Sequence, residues 1–428
     1  MPIVNDGTGN FIEDCIFTNN SVVCVENNGP DLNIYNSTFI DNDVVALNSS
    51  GSGMVIKDSL FDLNPTHIVI NLGGNSSVIY SSKFANAINS AIIINSTNIS
   101  FIKSNFTNNY GVNGGAIYLT NGSLILTGNN FTFNRAVNGG AVYLENGTNI
   151  SFIGNEFYYN NATMYGGALY SLIPLNISGG IFVGNNATIN GGAIYLNTSG
   201  SNITNVRFID NWAVNGSAIY LTANNKLTVK KVICEDNTQT NLVNLSDTFH
   251  HGSIYLGSRM SSGNFIYSGL NMVGANDVWD GLTYYLSTIY VNSTADSSTC
   301  GTTPETATSF ENSIIHILNE GKIIFADETY TINQVNLANR TIALIGNGAT
   351  IKRKDSSEFS WNLDNSTIYM ENFTFENTGM NIENNSTLNL DNITFFTTEN
   401  NAGGIVYDAS SKGTIDNSNF SGTTDSSG

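Results

Sequence analysis

Apolar and polar positions alternate with period two in short stretches such as Ser123 to Leu126, Asn130 to Phe133 and Ala141 to Leu144. That alternation predicts strands, because successive side chains of a strand face opposite ways. The stretches recur. Gly-Gly-Ala-x-Tyr begins at Gly114-Gly115, Gly139-Gly140, Gly166-Gly167 and Gly191-Gly192, then returns as Gly216-Ser217-Ala218-Ile219-Tyr220, at steps of 25, 27, 25 and 25 residues. A Phe-x-x-Asn precedes each copy: Phe106 with Asn109, Phe131 with Asn134, Phe157 with Asn160, Phe182 with Asn185, and Phe208 with Asn211. Phe17, Phe39, Phe61 and Phe84 extend this mark upstream, and Cys234 takes it over in Cys234-Glu235-Asp236-Asn237. Ten turns of 22 to 26 residues are in register. Five residues before the mark the chain is apolar in all ten, from Ile12 to Val229. Two before, eight of the ten are small or amide, and three after, nine are Asn, with Ala87 the exception.

Each turn has room for three short strands. It is too short for a propeller blade and lacks the leucine-rich signature, which leaves a strand solenoid. One such turn cannot bury enough apolar surface to fold alone, but stacked turns cover each other and complete their hydrogen bonds about 4.8 Å apart. Ten stacked turns predict a rod of roughly 43 Å. The repeating Asn is expected to take left-handed backbone at the bends and to form amide ladders, and the Gly pair to admit backbone that a side chain would block. The scarcity of proline, 5 residues in 428, fits chains that need every ladder donor.

Phe-x-x-Asn joined to Gly-Gly-Ala-x at this interval resembles the repeats of polymorphic outer-membrane proteins and of adhesin-like surface proteins of methanogenic archaea. The Asn/Thr-rich run Asn105-Phe106-Thr107-Asn108-Asn109 is closer to the archaeal set. The resemblance covers about residues 10 to 240. It implies a right-handed parallel β-helix of the pectate-lyase-like kind, displayed at the cell surface and engaged in attachment to glycans or to surface proteins of another cell.

The strict period fades after Asn237. Residues 1–240 are therefore expected to form a first β-helix, 241–287 its closing cap and a connection, and 288–428 the start of a second β-helix. The second opens with the strongest helical pattern in the chain, near 308–320. Thr308 with Glu311 reads as a capping box, Phe310, Ile314, Ile317 and Leu318 line one face, and Gly321 stops it. Strands are expected at Lys322 to Ala326, Thr329 to Ile332 and Thr341 to Ile345. A helix placed there suits a lid over the exposed backbone edge of a first coil, and the resemblance implies an N-terminal cap at the same place. Phe375, Phe395 and Phe420 then mark a new register, with Asn372, Asn392 and Asn417 three residues earlier. The pattern reads as an excerpt of a longer polypeptide.

Composition narrows the partners. The chain has 34 Asp+Glu against 15 Lys+Arg, a net charge of −19, with 68 Asn and 44 Ser supplying most of the polar surface. No basic footprint exists for nucleic acid, and no apolar run is long enough to enter a bilayer as a helix. Cys15, Cys24, Cys234 and Cys300 have neither metal spacing nor a disulfide framework.

Chemistry has few candidates, and no cofactor is expected. In register, Asp210 and Asp236 stand on successive turns with Arg207 and Lys231 nearby in sequence, a spacing that suits a retaining glycosidase pair or a calcium clamp, or simply two solvated bend acids. As an enzyme the chain would use Asp210, Asp236 and Arg207. Asp14 and Asp58 flank Asn36 two turns apart, and Asp327-Glu328 and Asp41-Asn42-Asp43 are acidic turns. His67, His250, His251 and His316 form no ligand pattern, and Gly346-Asn347-Gly348 lacks the rest of a dinucleotide loop. About 25 Asn-x-Ser/Thr sequons run from Asn19 to Asn419. Uniform repetition favours a non-catalytic surface module or envelope spacer over a polysaccharide lyase or hydrolase.

Overall fold

The computed structural model describes residues 2–62, 70–237, 253–256, 265–268, 270–273, 278–279, 284–295, 301, 303–354, 360–398 and 404–422. They belong to two compact units, Met1–Tyr284 and Tyr285–Gly428. In each, short strands follow one another around a coil and pair in parallel with their counterparts one turn on, which makes the chain a parallel β-helix.

In the first unit three columns of strands run through successive turns. The first holds the strands after the Gly pair, such as Val142–Leu144, Leu169–Ser171 and Ile194–Leu196. The second aligns the apolar position five before the mark, from Ile12 through Phe101 to Val229. The third carries the mark itself. Phe17, Phe39, Phe61, Phe84, Phe106, Phe131, Phe157, Phe182 and Phe208 stack face to face, with centroids 4.5 to 5.1 Å apart and planes within 20°. Phe106, Phe131, Phe157, Phe182 and Phe208 are at most 1% exposed, so the expected interior column is present. Cys234 continues it, fully buried and reduced, and burial pushes its thiol well above the usual range.

Turning the chain at the end of each third-column strand leaves inward backbone groups without strand partners, and side-chain amides answer them. Each Oδ1 from Asn134 to Asn237 accepts from both the backbone N–H and the Nδ2 of the preceding Asn. Each Nδ2 also reaches a Phe carbonyl one turn back, as Asn160 does to Phe131 at 2.9 Å. A second ladder runs from Ser37 through Ser59, Ser82 and Ser104 to Asn129 and Asn155, two residues before the mark. One expectation needs correcting. The ladder Asn is not the left-handed residue; its predecessor is, namely Asn108, Phe133, Tyr159, Gly184 and Asp210, with φ of 53° to 62°. The predecessor reverses the chain, and the Asn can then point inward.

The Gly pair does two separate jobs. Gly139 is left-handed at φ 59°, and a Cβ at Gly140 would lie 2.1 Å from the Gly167 carbonyl oxygen of the next turn. Beyond Asn237 the described strands Ile254–Leu256, Phe265–Ser268, Asn271–Val273 and Val278–Trp279 continue the three columns. Of the segment read as cap and connection, residues 241–252, 257–264, 269, 274–277 and 280–283 lie outside the described residues, as do His67, His250, His251 and Cys300.

In the second unit, Thr329–Ile332 and Thr341–Ile345 are strands as expected, and Phe375, Phe395 and Phe420 stack at 4.8 and 5.1 Å. The helix differs from its expectation. It spans only Phe310–His316, its N-cap is Ser309 accepting from the Asn312 N–H, and Thr308 instead accepts from the Asn312 side chain. Strand Ile317–Phe325 begins where the helical face was to continue, and Gly321 lies inside that strand. Ile317 pairs with Leu286, and both Ile317 and Leu318 are buried, so parallel pairing outcompetes helical periodicity there. The helix packs Phe310 on Phe325 and Trp361, and Arg340 donates to the Ile317 carbonyl at its C-terminal end.

Candidate functional site

The acids singled out by spacing are bend residues. Asp210 and Asp236 occupy the same left-handed position on successive turns, with φ of 53° and 50°, so the coil does bring them to one edge. Arg207 is not held between them: its guanidinium donates twice to the Glu235 carboxylate, at 3.0 and 3.2 Å, on the neighbouring strand. Asp14 accepts from the Asn36 side chain at 2.7 Å in another such bend column. Glu328 accepts from the Ser293 N–H at 2.7 Å, which holds its carboxyl below the usual range. Asn42, between Asp41 and Asp43, is a buried ladder member and donates to the Phe17 carbonyl. Among the described residues no three His, Cys, Asp or Glu side chains converge as metal ligands.

A more extensive feature is the outer face of the first column. There the tyrosine of each strand lies between two buried residues: it is half-buried in Ile117-Tyr118-Leu119, Ile194-Tyr195-Leu196 and Ile219-Tyr220-Leu221, and itself buried in Val142-Tyr143-Leu144. The last residue of the pentapeptide therefore emerges at the same point of every turn. Tyr143, Tyr170, Tyr195, Tyr220 and Tyr255 stack with centroids 4.7 to 5.1 Å apart and planes within 9°. Tyr118 ends the ladder edge-on to Tyr143, at 84°, with its hydroxyl on the Glu145 carboxylate.

Because ring faces cover one another, the half-buried rings of the ladder have only phenol hydroxyls and ring edges left to turn outward, and Tyr143 is buried among its neighbours. Burial pushes the hydroxyls of Tyr118 and Tyr143 up to about 12, and raises those of Tyr170, Tyr195 and Tyr220. They remain neutral at physiological pH, each able to donate and accept.

Polar rows flank the ladder on both sides. Asn113, Asn138, Tyr165, Asn190 and Asn215 pair one above another before it, and the Asn215 side chain donates to Asn190 at 2.8 Å. The buried Oδ1 of Asn138 has no hydrogen-bond partner. After the ladder come Thr120, Glu145, Asn197 and Thr222, with the Thr222 hydroxyl on Asn197 at 2.8 Å. Apart from the Glu145 carboxylate, and Leu172 at the corresponding place in the Tyr170 turn, this is an uncharged field of hydroxyls and amides at one-turn spacing, suited to a polyhydroxylated ligand. The sequence gives a signal for it: the tyrosine lies between two apolar strand positions and so must face outward.

No family model matches the sequence, and no curated protein matches it. Among solved structures the chain is similar to a PL6 family alginate lyase, AlyGC, at 10% identity and a TM-score of 0.30, covering 96% of this chain and 77% of that one. It is also similar to the tailspike protein of E. coli bacteriophage HK620, solved in complex with a pentasaccharide, at 9% identity and a TM-score of 0.26, covering 96% and 72%. Among the described residues no helix is long and apolar enough to cross a membrane.

Proposed function

We propose that this chain is an extracellular attachment module that binds glycans through the outer face of its first strand column, without cleaving them. The observation that carries the reading is the ladder from Tyr118 to Tyr255 with its flanking amides, which offers neutral donors and acceptors once per turn. A linear sugar chain lying along such a row meets equivalent groups at each step. The repeat's resemblance to adhesin-like surface proteins supports the same assignment, with a sugar chain of another cell as the partner. Engagement of Arg207 by Glu235 speaks against a catalytic role for Asp210 and Asp236.

Screening the purified chain on a glycan array tests the reading, beside a depolymerisation assay with calcium on the sugars it retains. Saturable retention without product is the expected result. In Tyr170→Phe/Tyr195→Phe/Tyr220→Phe the rings still stack but three hydroxyls are gone. At about 1 kcal/mol per hydrogen bond, affinity should drop roughly 100-fold with little change in stability. Turnover abolished by Asp210→Ala/Asp236→Ala would replace the attachment reading with an enzymatic one.

A further inference from the structure

A second aromatic surface lies on a different edge of the first unit, the bend that follows the third column. The residue two after the mark is left-handed in turn after turn: Asn19, Asp41, Asn86, Asn108, Phe133, Tyr159, Gly184, Asp210 and Asp236, with φ from 50° to 62°. Seven of these nine are Asn, Asp or Gly, the residues that tolerate this backbone best. Phe133 and Tyr159 are the departures, at φ 58° and 53°, and bulky side chains are the least suited to that region.

Neither ring is taken up by the core. Phe133 is 47% and Tyr159 53% exposed, and they stack on each other at 5.5 Å and 16°. The next turn makes room for them. At Gly184 a Cβ would lie 2.5 Å from Cδ1 and Cε1 of Tyr159, so the ring occupies space that any larger residue there would contest. Two strained bends, two half-exposed stacked rings and one cleared neighbour form an arrangement that adds little to the fold.

We propose that Phe133 and Tyr159 form a sugar-stacking platform that takes a pyranose ring of a neutral glycan, a site separate from the tyrosine ladder. The apolar C–H face of a pyranose packs on aromatic carbon, and Arg135, two residues on and exposed, supplies donors for ring hydroxyls. Beyond Gly184 the same edge carries Asp210 and Asp236, in a chain of net charge −19, so an extended uronate, sialate or phosphate chain running along that edge is disfavoured.

The platform rests on the glycan-binding reading, and the test separates the two. The full chain is screened on an array holding neutral and acidic glycans. The best neutral oligosaccharide is then titrated into wild type, into Phe133→Asn/Tyr159→Asn and into Gly184→Asn, with the thermal midpoint of each recorded. The first variant installs the residue that other bends use; the second keeps both rings but crowds Tyr159 with a Cβ. The proposal expects at least a tenfold loss of affinity in both, with the midpoint of the double variant unchanged or raised. Wild-type affinity in the double variant overturns the platform and leaves the attachment reading standing. A lowered midpoint in that variant makes the pair structural and also overturns the proposal. Retention of acidic glycans alone overturns the platform, and an empty array overturns both readings.

Discussion

Asn160 shows why a buried amide is tolerated in this fold. Its Oδ1 accepts from the N–H and Nδ2 of Asn134, and its Nδ2 donates to Asn185 and to the Phe131 carbonyl, all within 3.0 Å. Every group has a partner, so the cost of desolvation is offset. Asn160→Ala would take from the Asn134 N–H and the Phe131 carbonyl their amide partner, while the Asn185 Oδ1 keeps the residue-160 N–H and loses only its second donor. At about 1–3 kcal/mol for each buried group left unpaired, a loss of about 3 kcal/mol or more in chemical denaturation is expected. A change below about 1 kcal/mol would mean that the ladder is ornamental. The ladder itself was legible, because the same amide recurs three residues after nearly every mark. Its backbone was not: a repeating Asn looks like a bend residue, and only the geometry shows that its predecessor turns the chain.

Strand columns turn these residue-level fits into a coil. Gly140→Ala would set a Cβ against the Gly167 carbonyl oxygen, a clash of backbone with backbone that no rotamer can relieve. Unfolding should become easier by several kcal/mol, more than the ~0.5–1 kcal/mol by which Ala ordinarily exceeds Gly in a strand's favour. If Gly140→Ala instead melts at the wild-type temperature, the close approach of turns is not real. The tyrosine column makes a prediction about alkali. The phenols of Tyr118, Tyr143, Tyr170, Tyr195 and Tyr220 have raised folded values, so the stability they contribute is present below the unfolded value near 10 and is lost as pH rises through about 12. Spectroscopic titration should show these tyrosines ionising later than exposed ones and together with loss of structure. Simultaneous early ionisation of all tyrosines would contradict the stacked ladder. The helix near residue 310 illustrates where periodicity misleads. Phe310, Ile314, Ile317 and Leu318 have helical spacing, yet Ile317 and Leu318 serve the strand Ile317–Phe325 because its parallel partners are already in place.

Across the molecule, both units are read from the same rule, that each turn is completed by its neighbours. Phenylalanine spacing made the solenoid and its columns recoverable from sequence, since a period of 22 to 26 residues has few other structural solutions. The binding face was less legible. Glycine and asparagine marks draw the eye to what holds the coil together, whereas Tyr118 to Tyr255 and the Phe133–Tyr159 pair stand out only when inward and outward positions are assigned. Paired acids, which spacing favours as candidates, prove to be bend residues at Asp210 and Asp236. Equilibrium titration of the full chain with its best neutral oligosaccharide, with the sugar recovered afterwards, tests the attachment account most directly. Saturable binding, weakened roughly 100-fold in Tyr170→Phe/Tyr195→Phe/Tyr220→Phe and returning the sugar intact, is the predicted result. Equal binding by that variant, or recovery of a cleaved sugar, would contradict it.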